Sequence, residues 1–213
     1  MKRNAFTMLE LVMVIIVIGI LAALAIPRLD RDLKQEAADN ILSSIRYTQH
    51  LALLDNKHKF DQADWQKSFW KIQFTTSTSD TMNNFYTICS DTGRDGTIQK
   101  SECALDPSNG KYYYNAGGAT TSMQADETPS IFIGKKYGIN DLTGQGGCNN
   151  IKHIGFDHLG RPHVSFSGST TPDYSSYMKT QCQFTFSMKN GESFTITIEP
   201  ETGYASIAGQ PDS

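Results

Sequence analysis

The residues best suited to chemistry lie between Cys89 and Cys103. They read Asp91-Thr92-Gly93-Arg94-Asp95-Gly96-Thr97-Ile98-Gln99-Lys100-Ser101-Glu102. Twelve residues in this order are in the register of an EF-hand calcium loop. Asp91 takes the first position, Asp95 the fifth, and Gly96 the sixth, where the chain must turn sharply. Thr97 offers its backbone carbonyl, Ile98 the small apolar anchor, and Glu102 a bidentate carboxylate. Calcium needs such hard oxygen ligands bent around one point. Gly93 stands at the third position and brings no side-chain oxygen, so the pattern implies reduced affinity or a substituting water. The flanking segments do not read as helices. The plainer alternative is an Asp-Gly turn in a polar loop.

Four cysteines, Cys89, Cys103, Cys148 and Cys182, follow the first sixty residues. An even number in an exported segment favours disulfides, and four cysteines allow three pairings. The preferred one joins Cys89 to Cys103 and Cys148 to Cys182, because it links near neighbours and puts each bridge beside a strand. Zinc is the alternative, but no C-x-x-C pair is present.

Other chemical residue types are less organised. His153, His158 and His163 recur every five residues, a spacing that alternates faces on a strand and so does not predict a shared metal. Tyr112-Tyr113-Tyr114 reads as a strand with one buried ring, and Trp65 and Trp70 as packing residues. Gly144-Gln145-Gly146-Gly147 lacks the Lys-Ser and helix pattern of a phosphate loop. No G-x-S-x-G, H-E-x-x-H or Ser/His/Asp arrangement stands out. The expectation is therefore a non-enzyme with no organic cofactor.

At the N-terminus, Met1-Lys2-Arg3-Asn4-Ala5 precedes Phe6-Thr7-Met8-Leu9-Glu10 and an apolar run to Ile26. From Phe6 to Ile26 about 21 residues rise roughly 31 Å as a helix, enough for one bilayer crossing. The short basic leader favours a cytoplasmic N-terminus and an exported remainder. Glu10 is the anomaly: a carboxylate in an apolar span costs about 2.5–3.5 kcal/mol and so calls for a partner. Ala23-Leu24-Ala25 fits a secretory cleavage site, but Glu10 and the helical pattern beyond it do not suit a signal peptide.

Ala5-Phe6-Thr7-Met8-Leu9-Glu10-Leu11, with Ile18-Gly19-Ile20-Leu21-Ala22-Ala23-Leu24-Ala25-Ile26-Pro27, resembles the N-terminal segment of type IV pilins and type II secretion pseudopilins. The resemblance implies that a prepilin peptidase cuts between Ala5 and Phe6 and methylates the new amine. It implies that Glu10 pairs with the Phe6 amine of an adjacent subunit during assembly. The residue before the cut is usually Gly in this family, and here it is Ala5. Implied partners are other subunits, contacted through the helix, the peptidase and an inner-membrane assembly platform. Calcium sites occur in loops of some secretion pseudopilins, which lends the 91–102 reading modest support.

The helical period continues past Ile26. Leu29, Leu33, Ala37, Ile41, Ile45, Thr48 and Ala52 form one stripe at three- and four-residue spacing. This predicts a helix over about 6–55 with a kink at Pro27, apolar all round in its first half and amphipathic in its second. Beyond residue 60, strands are predicted at 69–74, 85–89, 130–133, 151–156, 163–166, 182–188 and 193–198. Asn190-Gly191 between the last two is a hairpin signal. Phe156-Asp157-His158-Leu159-Gly160-Arg161-Pro162 and Thr202-Gly203-Tyr204 resemble the C-terminal half of minor pseudopilins of the GspH/FimT type.

The whole chain has 213 residues, 38% of them apolar, with 19 Lys and Arg against 22 Asp and Glu. That composition excludes a disordered chain and a polytopic membrane protein. No basic surplus exists, and 204–213 contains no Lys or Arg, so no nucleic-acid partner is expected.

The expected fold is α+β and pilin-like: a long N-terminal helix, transmembrane in its first half, packed on an antiparallel β-sheet head. The expected organisation is a leader at 1–5, an assembly half-helix at 6–27, an amphipathic half-helix at 28–58 and a periplasmic head at 59–213. The expected placement is single-pass in a bacterial inner membrane. The expected function is a minor pilin or pseudopilin of a secretion pseudopilus or pilus. The alternative is a membrane-anchored periplasmic, calcium-dependent binding or catalytic domain.

Overall fold

The computed structural model describes residues 7–77, 84–117 and 122–210, and over 23–32 the backbone alone. The leader, and with it Ala5 and Phe6, lies outside the described residues. The architecture is α+β. Helix α1 spans Met8–Leu54, and its helical backbone continues past Pro27. Eight strands follow: β1 Trp70–Thr75, β2 Phe85–Cys89, β3 Ile139–Gly146, β4 His153–Phe156, β5 Pro162–His163, β6 Cys182–Met188, β7 Ser193–Ile198 and β8 Ala205–Ile207. They form two antiparallel sheets rather than one, in the orders β2-β1-β4-β5 and β3-β6-β7-β8.

The helix stripe is buried as its spacing requires. Ala37, Ile41, Ile45, Thr48 and Ala52 are all sealed from solvent, and Leu33 packs at the edge of the same core. Burying an Ile side chain contributes roughly 1.5–3 kcal/mol, and this face docks on β1, β4, β7 and β8. Phe74 of β1 joins the two sheets, with its ring centroid 5.7 Å from that of Phe184 and 5.2 Å from that of Phe186 on β6. Ser44 and Tyr86 share a buried hydrogen bond of 2.8 Å where helix meets sheet. Burial raises the Tyr86 pKa far above its ordinary value.

The expected transmembrane half-helix is corrected. Among the described residues no helix is long and apolar enough to cross a membrane. The side chains described in the apolar part of α1 are those of 8–22, and they include the carboxylate of Glu10. From Leu33 onward α1 is amphipathic. The described helix thus lends the single-pass inner-membrane placement no support.

Further local expectations change, and of the strand expected over 163–166 only His163 lies in one, at the end of β5. The segment 130–133 is not a strand: Pro129–Ile131 is a 3-10 turn, and Ile133–Tyr137 forms helix α2. Pro129 suits a first helical position, and Gly138 closes α2 at φ 73°. Buried Ile133 and Tyr137 are four apart, as a helix face requires, while Ile131 and Ile133 are also spaced for a strand. Strand β3 was not expected, because Asn140, Asp141, Gly144 and Gly146 obscure its alternation. Gly144 is there for close approach, since a Cβ would meet the Cys148 carbonyl oxygen.

The predicted hairpin forms between β6 and β7. Met188 N–H donates to the Glu192 carbonyl, Gly191 N–H donates to the Met188 carbonyl, and Gly191 has φ +84°. Phe186 and Phe194 face each other in this register and stack at 5.1 Å.

Gly203 ties the C-terminal turn to the helix. It has φ +65°, and a Cβ there would meet the Gly160 carbonyl oxygen and Gln49 Nε2. Gln49 Nε2 donates to the carbonyls of both Gly160 and Thr202 at 2.8 Å, so one helix amide holds both turns. Gly203→Ala combines left-handed strain with overpacking and should cost on the order of 2–4 kcal/mol. Urea unfolding of that variant checks the loss, and an unchanged midpoint would refute it.

Candidate functional site

Three places gather chemically capable residues. The first is the loop predicted for calcium. Cys89 and Cys103 are disulfide-bonded, with Cα atoms 3.9 Å apart, and Ser90 N–H donates to the Glu102 carbonyl at 2.9 Å. The loop ends are thus clamped. Asp91 Oδ2 accepts the Gly96 N–H across the loop at 2.9 Å, and Gly96 takes φ +84°. Asp91 is only 3% exposed, and its Oδ1 has no hydrogen-bond partner. Asp95 Oδ1 accepts the Thr97 N–H at 2.7 Å.

Glu102 turns both oxygens inward on the loop. Oε1 accepts from Thr92 Oγ1 at 2.7 Å and Gly93 N at 2.9 Å, and Oε2 from Gln99 N at 3.0 Å. Partial burial raises its pKa, but these bonds outweigh that and hold it below the ordinary carboxylate value. The loop's own cations point elsewhere: Arg94 Nε pairs with Asp64 at 3.1 Å and Lys100 with Asp126 at 2.9 Å. Half-buried Lys71 of β1 is the cation that acts electrostatically on Asp91. Among the described residues, no three His, Cys, Asp or Glu side chains stand close enough together to hold a metal ion as placed. The structure therefore brings Asp91, Asp95, Thr97 and Glu102 into one clamped loop without closing a cage.

The second disulfide joins Cys148 to Cys182, so the pairing is the preferred one. Two disulfides fit an oxidising, extracytoplasmic location. A loop the length of the second restricts the unfolded chain by about 4 kcal/mol in the chain-entropy model.

The third place was not read from the sequence. Asp157, at the β4–β5 turn, accepts through Oδ1 from the backbone of Leu159 and of Arg161, both at 2.9 Å. Its Oδ2 accepts from Arg161 Nε at 2.8 Å and contacts His163 Nε2 at 3.3 Å. His163 Nδ1 in turn meets Ser176 Oγ at 3.0 Å. Burial alone would raise the Asp157 pKa, but the bonds from His163, Arg161 and Leu159 hold it far below the carboxylate range. Asp, His and Ser are the residue types of an acyl-transfer triad. Here, however, all three are buried, and the carboxylate is shared with Arg161. The arrangement pins the 157–163 turn to the segment around Ser176.

The three histidines go to different surroundings. His153 packs edge-on against Phe166, and His163 is bonded as above. His158 stacks on His58, which also meets Phe60, Trp65 and Tyr174, at ring-centroid distances of 4.3 to 6.1 Å. Tyr113 is the buried ring of its triplet, and its neighbour Tyr112 makes isolated bridges to Leu105 and Glu127 rather than joining a strand.

Glu10 stands one turn into α1. Its Oε2 accepts the Thr7 N–H at 3.5 Å, and Thr7 Oγ1 accepts the Glu10 N–H at 3.3 Å, which makes a capping box. The sequence marks Glu10 only as an acid in an apolar run; the Thr-x-x-Glu spacing is the signal that also explains it locally. Around it, twelve large apolar residues from Met8 to Leu21 are exposed, by 46% to 85%.

Fold and sites together describe an α+β protein with two antiparallel sheets, two disulfides and a helix left apolar and uncovered at its N-terminal end. No family model, curated sequence or solved structure matches this chain.

Proposed function

We propose that this chain is a structural subunit of a pilin- or pseudopilin-type filament. What carries the reading is the uncovered run of twelve large apolar side chains on α1, interrupted by one acid, Glu10. Apolar surface of that extent on a folded chain marks a contact site. It runs all round the helix, which suits burial among several parallel helices rather than against one partner. Copies of the same chain supply such helices. The Phe6-to-Pro27 resemblance supports the same occupant. It adds cleavage before Phe6 by a prepilin peptidase and delivery through an assembly platform.

In this reading Glu10 sets register. A carboxylate drawn into an apolar bundle needs a positive partner, because a lone buried charge is strongly unfavourable. The amine created at Phe6 of a neighbouring copy supplies one. The head, α1 from Leu33 onward with both sheets, would then carry the specific contacts of the filament surface.

Processing tests the proposal. Intact-mass measurement of the chain purified from its native source should give a mature product that begins at N-methylated Phe6. A chain beginning at Met1, or at Ile26 as after a secretory cleavage, would overturn it.

A further inference from the structure

We infer that the disulfide-clamped 91–102 loop binds a calcium ion through Asp91, Asp95, the Thr97 carbonyl and Glu102. The inference stands apart from the filament reading. Its main support is Asp91, a side chain 3% exposed whose Oδ1 is left without a hydrogen-bond partner. Leaving a buried carboxylate oxygen unmatched costs more than 1–3 kcal/mol, so native proteins satisfy such atoms with donors, water or ions. Its sister oxygen is held by the Gly96 N–H, which turns the carboxylate toward the loop interior.

Two further carboxylates of the loop meet beside Gly93. The point where a Cβ on Gly93 would stand is 3.7 Å from Asp95 Oδ2 and 3.6 Å from Glu102 Oε1. Two carboxylates thus face the position that lacks a side chain, and a water or the ion itself can take that place. Arg94 and Lys100 are drawn outward by Asp64 and Asp126, so the loop's own cations do not fill the site. Binding exchanges the bonds of Glu102 to Thr92, Gly93 and Gln99 for bonds to the ion. Hard oxygen donors in this number suit calcium over softer metals, and the missing third ligand places affinity in the weak class of about 10⁻⁴–10⁻³ M. The Cys89–Cys103 bridge fixes the loop ends before the ion arrives.

Titration of the purified full-length chain with calcium chloride tests this. Calorimetry should give one site in that range, and 10 mM calcium should raise the melting temperature by about 3–6 °C. Asp95→Asn, an exposed change that spares the fold, should weaken binding about tenfold, and Glu102→Gln should abolish it. Absence of both heat and thermal shift in the unmodified chain would overturn the inference. So would equal affinity in Asp95→Asn and the unmodified chain, which would place any bound ion elsewhere.

Discussion

Replacing Glu10 by Leu should reduce incorporation into filaments by at least about a hundredfold while leaving the head's melting temperature unchanged. In the single chain Glu10 makes only the capping box with Thr7, and losing such a cap costs about 0.5–2 kcal/mol of local helix stability. Leu is among the better helix formers and would extend the apolar surface. On local grounds the variant should therefore assemble as well as the parent, or better. A loss follows only if Glu10 answers a charge on a neighbouring copy. Removing one member then strands the other in an apolar bundle, at about 3–5 kcal/mol. At 1.4 kcal/mol per factor of ten, that is a hundredfold or more. Filament fractionation with quantitative blotting reads the result. Normal incorporation of Glu10→Leu would remove the register role.

Asp157→Asn should destabilise the head by about 3–5 kcal/mol. The amide keeps the size of the carboxylate and can still accept from the backbone of Leu159 and Arg161. It turns an N–H₂ toward Arg161 and His163, which meet Oδ2 in the native chain. The partly exposed Arg161 guanidinium then loses its counter-charge, the buried Asp157 carboxylate. A pH signature accompanies the loss. Asp157 has its pKa depressed in the folded state, so its contribution is complete above the unfolded value, about 3.9. It is lost as pH falls from there toward the folded pKa, because the unfolded chain binds the proton first. Other paired carboxylates add to the acid slope, so the difference between parent and variant is at most one proton, about 1.4 kcal/mol per pH unit. Urea unfolding between pH 2.5 and 7 measures both quantities. A variant within 1 kcal/mol of the parent and with the same acid slope would show that the network carries little.

Local periodicity explains why so much of the secondary structure is legible. Ala37, Ile41, Ile45 and Ala52 repeat with the helix, and Phe184, Phe186, Phe194 and Ile196 alternate with the strand. Each burial choice is therefore written in residues a few positions apart. The Asn190-Gly191 turn is read the same way, from one residue able to take positive φ. The clamped loop is likewise legible, since all its donors lie within twelve residues between two cysteines.

Other features depend on residues distant in sequence. Nothing near Ser176 marks it as the partner of His163, and nothing near Gln49 says that its amide will hold Gly160 and Thr202. Strand β3 is a strand because β6 pairs with it, against its own Asn, Asp and Gly content. The segment 129–137 is helical because Pro129 starts it and Gly138 ends it, while its apolar spacing fits either form. By itself, then, the sequence determined the long helix with its buried stripe, the β6–β7 hairpin and the oxygen-rich loop. Tertiary structure alone decided the division into two sheets, the Asp157–His163–Ser176 tie and the unmatched oxygen of Asp91. The reason is physical: dihedral preference and hydrophobic period act over one or two turns of chain, whereas a buried polar group finds its partner only once distant segments have packed.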